Sequence, residues 1–143
     1  LTSGIGYRRA DLQTLAEAKL ADSVLLAAHG GFSNAYYLGG YAIEFALKSC
    51  ISRQFLGETI PDPSLVRKVY DHDFSKLIGV AGLTGALREK QTGDGAFAAN
   101  WSTVAEWSEA IRYESVDRYS CDLMLQAIRN DPSGVLLWLK QHW

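Results

Sequence analysis

A chain of 143 residues, 48% of them hydrophobic and 21% charged, has the size and apolar content of one globular domain and too few charges for a disordered segment. Its 14 Lys and Arg face 16 Asp and Glu, a formal net charge of -2. That balance excludes a histone-like or tail-driven binder of long nucleic acid, while a local basic patch stays open. Two cysteines, Cys50 and Cys121, are too few for a disulfide framework and lack the C-x-x-C spacing of a metal site. Both fall on apolar helices and read as buried, reduced thiols, which suits a reducing cytoplasm. The opening Leu1-Thr-Ser-Gly-Ile-Gly-Tyr-Arg-Arg9 lacks the apolar core of a secretory signal. No run reaches the roughly 18 to 20 apolar residues that span a bilayer. The expectation is a soluble, cytoplasmic protein with no membrane partner. Because residue 1 is not Met, a fragment of a larger protein stays open.

Apolar residues recur at helical spacing throughout and no alternating strand pattern appears, so the expected class is all-α. The first helix is predicted from Arg9 to His29, with Leu12, Ala16, Leu20, Ser23, Val24 and Ala27 facing inward and Gly30-Gly31 as its stop. Ser33 or Asn34 is placed to cap a second helix that continues to about Phe55. Gly57, Pro61 and Pro63 then mark a loop, the prolines excluding a helix through it. Asp71 is placed to cap a helix from His72 to Ala81, ended by Gly82. Thr84 to Gln91 reads as helical, Thr92-Gly-Asp-Gly95 as a turn, and Ala96 to about Tyr113 as a longer helix. Val116 to Arg129 follows, with Ser115 as cap. Asp131-Pro132 resembles an N-cap and first helical residue, opening a last helix with Val135, Trp138, Leu139, His142 and Trp143 on one side. No repeat, low-complexity stretch or linker divides residues 1–143. The expected architecture is an up-and-down bundle of four to five main helices with short extra helices.

The second helix is the most informative element. From Ala35 to Lys48 it is apolar almost all round, broken by Tyr37, Tyr41, Glu44 and Lys48, which fall within about 60° of one another at 100° per residue. Such a helix lies centrally in a bundle and keeps one narrow polar face for water, a ligand or a partner. Gly39 and Gly40 in its interior each cost roughly 1 kcal/mol relative to Ala. Close approach of a neighbouring backbone, or of a ligand, is the expected compensation.

The stretch Ala35-Tyr-Tyr-Leu-Gly-Gly-Tyr-Ala-Ile-Glu-Phe-Ala-Leu-Lys48 resembles the A-x-Y-L-A-G-Y-A-x-E-x-A-L-K helix of prokaryotic HEPN domains (higher eukaryotes and prokaryotes nucleotide-binding). The likeness continues in order. His72-Asp-Phe-Ser-Lys-Leu77 with Ala81-Gly-Leu83 is similar to that family's H-D-L-x-x-L and A-G-L segments. Trp107 with Arg112-Tyr113 is similar to its W and R-Y segment, and Asp131-Pro-Ser-Gly-Val-Leu-Leu-Trp138 with Trp143 resembles the closing helix of the subgroup. Together the matches spread over about residues 8 to 143. The resemblance implies an all-α bundle that commonly forms a homodimer, is often encoded beside a minimal nucleotidyltransferase, and is sometimes a ribonuclease toxin.

The ribonuclease branch of that family uses Arg-x(4–6)-His, with His as acid or base and Arg against the developing phosphorane charge. Arg67-Lys-Val-Tyr-Asp-His72 fits the spacing. Chains of this composition, however, produce that spacing by chance about every second time. Its position also departs from the family, whose catalytic pair lies on a later helix. No His follows Arg88, Arg112 or Arg118 at the needed distance. On the residues alone, Asp71 caps a helix and His72 sits in its first turn, where the dipole disfavours an imidazolium. No catalytic pair is therefore assigned, and Arg67 and His72 stay as the only candidates.

The stripe of Tyr37, Tyr41, Glu44 and Lys48 is the better site: two phenols to stack on a base, an acid and an amine to bond ribose or phosphate. A dimer seam, or a solvated Glu44–Lys48 pair at i, i+4, explains the same residues. Arg112-Tyr113 and Arg118-Tyr119 add cations beside aromatics, which suit stacking with phosphate contact, or else arginines that complement the helix C-terminus or pair with Glu109 and Glu114. Trp101, Trp107, Trp138 and Trp143 read as core or interface. No phosphate loop, nucleophile elbow or H-E-x-x-H occurs, so neither cofactor nor metal is expected. The expected function is a non-catalytic binding or adaptor module for a nucleotide, an RNA or a partner nucleotidyltransferase, in a toxin–antitoxin-like setting. A metal-independent ribonuclease toxin and a purely structural dimerisation domain are the alternatives.

Overall fold

The computed structural model describes residues 6–143, so most of the opening stretch read against a secretory signal lies outside the described residues. Among these, all regular structure is helical: α1 (Arg9–Ala28), α2 (Phe32–Ser52), α3 (Pro63–Val69), α4 (Phe74–Val80), α5 (Thr84–Gly93), α6 (Gly95–Ala105), a 3-10 helix (Glu109–Tyr113), α7 (Arg118–Arg129) and α8 (Val135–Lys140). The fold is all-α, with α1, α2, α5, α6 and α7 as main helices. Chain neighbours α1 and α2, α5 and α6, α6 and α7, and α7 and α8 pack on one another, the arrangement of an up-and-down bundle.

α2 is the hub, in contact with α1, α4, α7, α8 and the 3-10 helix. Ala35, Ala42, Ile43, Ala46, Leu47 and Ile51 on it are fully buried. Gly30 at φ 82° turns α1 into α2. The Gly31 N–H donates to the Leu26 carbonyl (2.8 Å) and the Gly30 N–H to that of Ala27 (3.2 Å), a Schellman stop. Gly82 at φ 71° closes α4 the same way, with Leu83 N–H on Ile78 O and Gly82 N–H on Gly79 O. The notch in α2 is filled by side chains rather than by a neighbouring backbone. A Cβ at Gly39 would press on Ile128 and the Ser23 hydroxyl, and one at Gly40 would run into the Trp107 indole.

Several boundaries differ from expectation, each for a stated contact. α2 starts after Gly31, because Ser33 is used elsewhere: its hydroxyl accepts the Val116 N–H at 2.9 Å. It also ends at Ser52 rather than about Phe55. The proline loop contains a helix after all, since Pro63 takes the first position of α3 and Asp62 caps it, accepting from Ser64 N–H and Leu65 N–H. α4 is capped by Asp73, not Asp71. Asp71 instead accepts from the N–H groups of His72 (2.8 Å) and Asp73 (2.9 Å), which leaves His72 outside the helix and its dipole. α5 runs through the expected turn to Gly93. The long helix expected to Tyr113 stops at Ala105, where Trp107 and Glu109 leave the helical path for contacts with α2 and His72. Asp117, not Ser115, caps α7, accepting from the Ser120 N–H at 2.7 Å.

The last helix begins at Val135 and not at Asp131-Pro132, whose peptide bond is cis. Asn130 closes the intervening turn: its side chain accepts from Ser133 N–H and its carbonyl from Gly134 N–H. Val135, Trp138 and Leu139 are buried as expected, while His142 and Trp143 lie half-buried past the helix end.

Candidate functional site

The helical turn brings Tyr37, Tyr41, Glu44 and Lys48 to one side of α2, and residues from two later segments fold over them. The Glu44 side chain is 3% exposed. One of its carboxylate oxygens meets Lys48 Nζ at 2.7 Å and the other meets His72 Nδ1 at 2.8 Å. The second ring nitrogen, Nε2, lies 2.9 Å from Glu109 on the 3-10 helix. A continuous polar chain, Lys48–Glu44–His72–Glu109, thus joins α2, the approach to α4 and the 3-10 helix. Burying a carboxylate beside an ammonium is tolerable only with such pairing.

The stripe is therefore not an open hydrophilic edge. Glu44 lies beneath His72, and the two phenols are half-buried against Trp107. The Tyr37 hydroxyl donates to that of Tyr41 at 3.4 Å, with the rings edge-on at 5.0 Å. Burial, and then the Tyr37 hydroxyl, push the Tyr41 phenol above its ordinary range. Trp107 stacks on Phe74 (centroids 5.2 Å, 7° between planes) and stands edge-on to Tyr41 at 5.1 Å. Its indole N–H is buried with no hydrogen-bond partner.

Arg112 and Tyr113, at the end of the 3-10 helix, are exposed. The guanidinium lies 4.7 Å from the Tyr113 ring centroid and Nη2 donates to the Tyr113 hydroxyl at 3.2 Å, while Nη1 donates to the Glu109 carbonyl at 3.2 Å. The Tyr113 hydroxyl, above all, raises the Arg112 pKa. Pairing with the Glu109 and Glu114 carboxylates is not what forms: the Glu109 carboxylate is turned to His72, and Arg118 pairs with Asp122 at 3.5 Å. Arg67 is exposed on α3, and no hydrogen bond or ion pair joins it to His72.

Reading the sequence alone missed Glu109 as the far end of the polar chain and Trp107 as the lid on the phenols. Gly40 was the available signal, since a glycine inside a helix asks which bulky group lies over it. Among the described residues no group of three His, Cys, Asp or Glu is placed to hold a metal ion, and no helix is long and apolar enough to cross a membrane. No family model, curated protein or solved structure matches this chain.

Proposed function

We propose that this chain is a HEPN-like, cytoplasmic and dimeric module that binds rather than cuts, holding a nucleotide or an RNA end at the face formed by Arg112, Tyr113 and the half-buried Tyr37 and Tyr41. The observation that carries this reading is the commitment of His72. Its two ring nitrogens lie 2.8 and 2.9 Å from the carboxylates of Glu44 and Glu109. A general base needs a ring nitrogen within reach of the proton it abstracts, and carboxylates occupy both. Arg112 and Tyr113 remain accessible, and a guanidinium over a phenol suits stacking on a base together with phosphate contact. Lys48 and Glu44 then act as the internal brace that positions the phenols. A partner nucleotidyltransferase, in a toxin–antitoxin-like setting, is the protein that such an adaptor would serve.

The test is titration of the purified chain with mononucleotides and short RNA, read by tryptophan fluorescence or amide resonances. Arg112→Ala is expected to weaken binding about tenfold, the size of one charge-assisted contact, with no change in melting temperature. RNA cleavage in EDTA that disappears in both Arg67→Ala and His72→Ala would establish the ribonuclease alternative instead. A concentration-dependent dimer with no response to any nucleotide would leave the structural dimerisation reading.

A further inference from the structure

The 3-10 helix that carries Arg112 and Tyr113 has little of its own to hold it. Such a turn is short and its internal hydrogen bonds are poorly aligned. Here the Ile111 N–H donates to the Ser108 carbonyl at 3.1 Å and the Glu114 N–H to that of Ile111 at 3.0 Å. Side chains do the rest: Ile111 packs against the core, the Val116 N–H just beyond is tied to Ser33, and Glu109 reaches His72. Only the last of these ties involves charge. His72 thus stands between a fixed carboxylate, Glu44 at 3% exposed, and an accessible one, Glu109 at 43%.

This geometry asks for two donors. A neutral imidazole has one N–H and one lone pair, and an ionised carboxylate only accepts. With Nδ1 2.8 Å from Glu44 and Nε2 2.9 Å from Glu109, a neutral ring satisfies one contact and turns its lone pair to the other acid. The imidazolium donates to both. In that form Lys48, Glu44, His72 and Glu109 alternate in sign. Without the proton, the N–H that remains goes to buried Glu44, which water cannot reach, and Glu109 turns to solvent.

No other group around the ring replaces that proton. On α2, Tyr41 stands edge-on to it at 6.4 Å, a phenol held above its ordinary range and so neutral. On the 3-10 helix, Arg112 donates to the Glu109 carbonyl and the Tyr113 hydroxyl. In its own segment, Asp71 accepts the His72 N–H and meets Lys76 at 3.4 Å, while Asp73 caps α4. Arg67 and Lys68 on α3 are exposed and form no ion pair with these acids.

We propose that His72 is a proton-operated latch: protonated, it clamps Glu109 and the 3-10 helix to Glu44 on α2, and on losing its proton to water it releases them. Histidine suits the role because its charge changes between about pH 5 and 8. The docked state is favoured at the acid end and lost as pH rises. Release takes Arg112 and Tyr113 from their fixed place beside Tyr37 and Tyr41, so the face binds less well. That consequence rests on the nucleotide reading above; the latch does not.

The latch is read without ligand, by resonances of the whole chain from about pH 5.5 to about 8.5. The amides of Glu109 to Tyr113 and the Trp107 indole N–H are expected to shift with the midpoint of the His72 ring. Their protection from hydrogen exchange, corrected for the intrinsic rate, should fall on the alkaline side. Glu109→Gln, a change at an accessible side chain, should move that midpoint to lower pH, and His72→Gln should abolish the transition. A short RNA with hydroxyl ends, whose diesters keep their charge throughout, should bind about tenfold tighter at the acid end, the size of one charge-assisted contact. Titration of the ring with unchanged protection of those amides, or a midpoint unmoved in Glu109→Gln, overturns the latch. Equal RNA affinity at both ends, with the helix released at the alkaline one, overturns its control of the face. RNA that binds at neither end sinks the nucleotide reading, while the ligand-free transition still decides the latch.

Discussion

At position 40 the absence of a methyl group decides how closely an indole can lie on α2. Trp107 occupies the space where a Cβ would stand, and that contact sets the ring against Phe74, Tyr37 and Tyr41. Gly40→Ala removes the conformational penalty of glycine in a helix, worth about 1 kcal/mol, but forces the indole out of its stack. Overpacking a tight core costs about 1–3 kcal/mol, so a net loss of stability is expected in urea denaturation. Adding Trp107→Phe should recover part of that loss, because the smaller ring vacates the contested volume and neighbouring substitutions are not additive. Full additivity of the two changes would contradict the contact. Glu44 and Lys48 were legible as an i, i+4 pair; that Glu44 is buried and shared with His72 was not, since His72 is 28 positions away.

Between elements, the joints are side-chain caps that serve two partners at once. Asp94 caps α6 by accepting the Phe97 N–H, pairs with Lys90 on α5 and accepts the Ser133 hydroxyl from the turn before α8. Those bonds, the Phe97 N–H foremost, lower its pKa from 3.8 to about 2. A carboxyl depressed on folding contributes stability that is complete above its unfolded value and is lost as pH falls through its folded one. Wild-type protein should therefore outlast Asp94→Asn by a constant margin in denaturant above pH about 5, and the margin should shrink from pH 3.8 down to about 2. A margin that holds through that window would rule out an ionised cap. Local signals at such joints were only partly readable. Gly30 and Gly82 stop their helices where expected, because the left-handed conformation at C′ is a property of the residue itself. Caps were misplaced by two residues at Asp73 and Asp117, since neighbouring Asp and Ser compete for the same role and only the fold chooses.

For the molecule as a whole, the main core gathers α2, α4, α6, α7 and α8 and holds Cys50, while Cys121 is buried with Ala35 and Leu125 in a second, smaller cluster. Burial pushes the Cys50 thiol up to about 12 and raises Cys121 as well. Neither should react with a thiol reagent near pH 8 in the native state, and both should label together as the chain unfolds in urea. Fast labelling of Cys50 without loss of helicity would show the core to open locally. The all-helical class and the central place of α2 could be read from the residues, because apolar spacing and glycine stops act over a few positions. Two things could not: the break after Ala105 and the polar chain from Lys48 to Glu109. Each depends on groups far apart in the chain, and only the packing of the helices brings their charges and rings within a few ångströms.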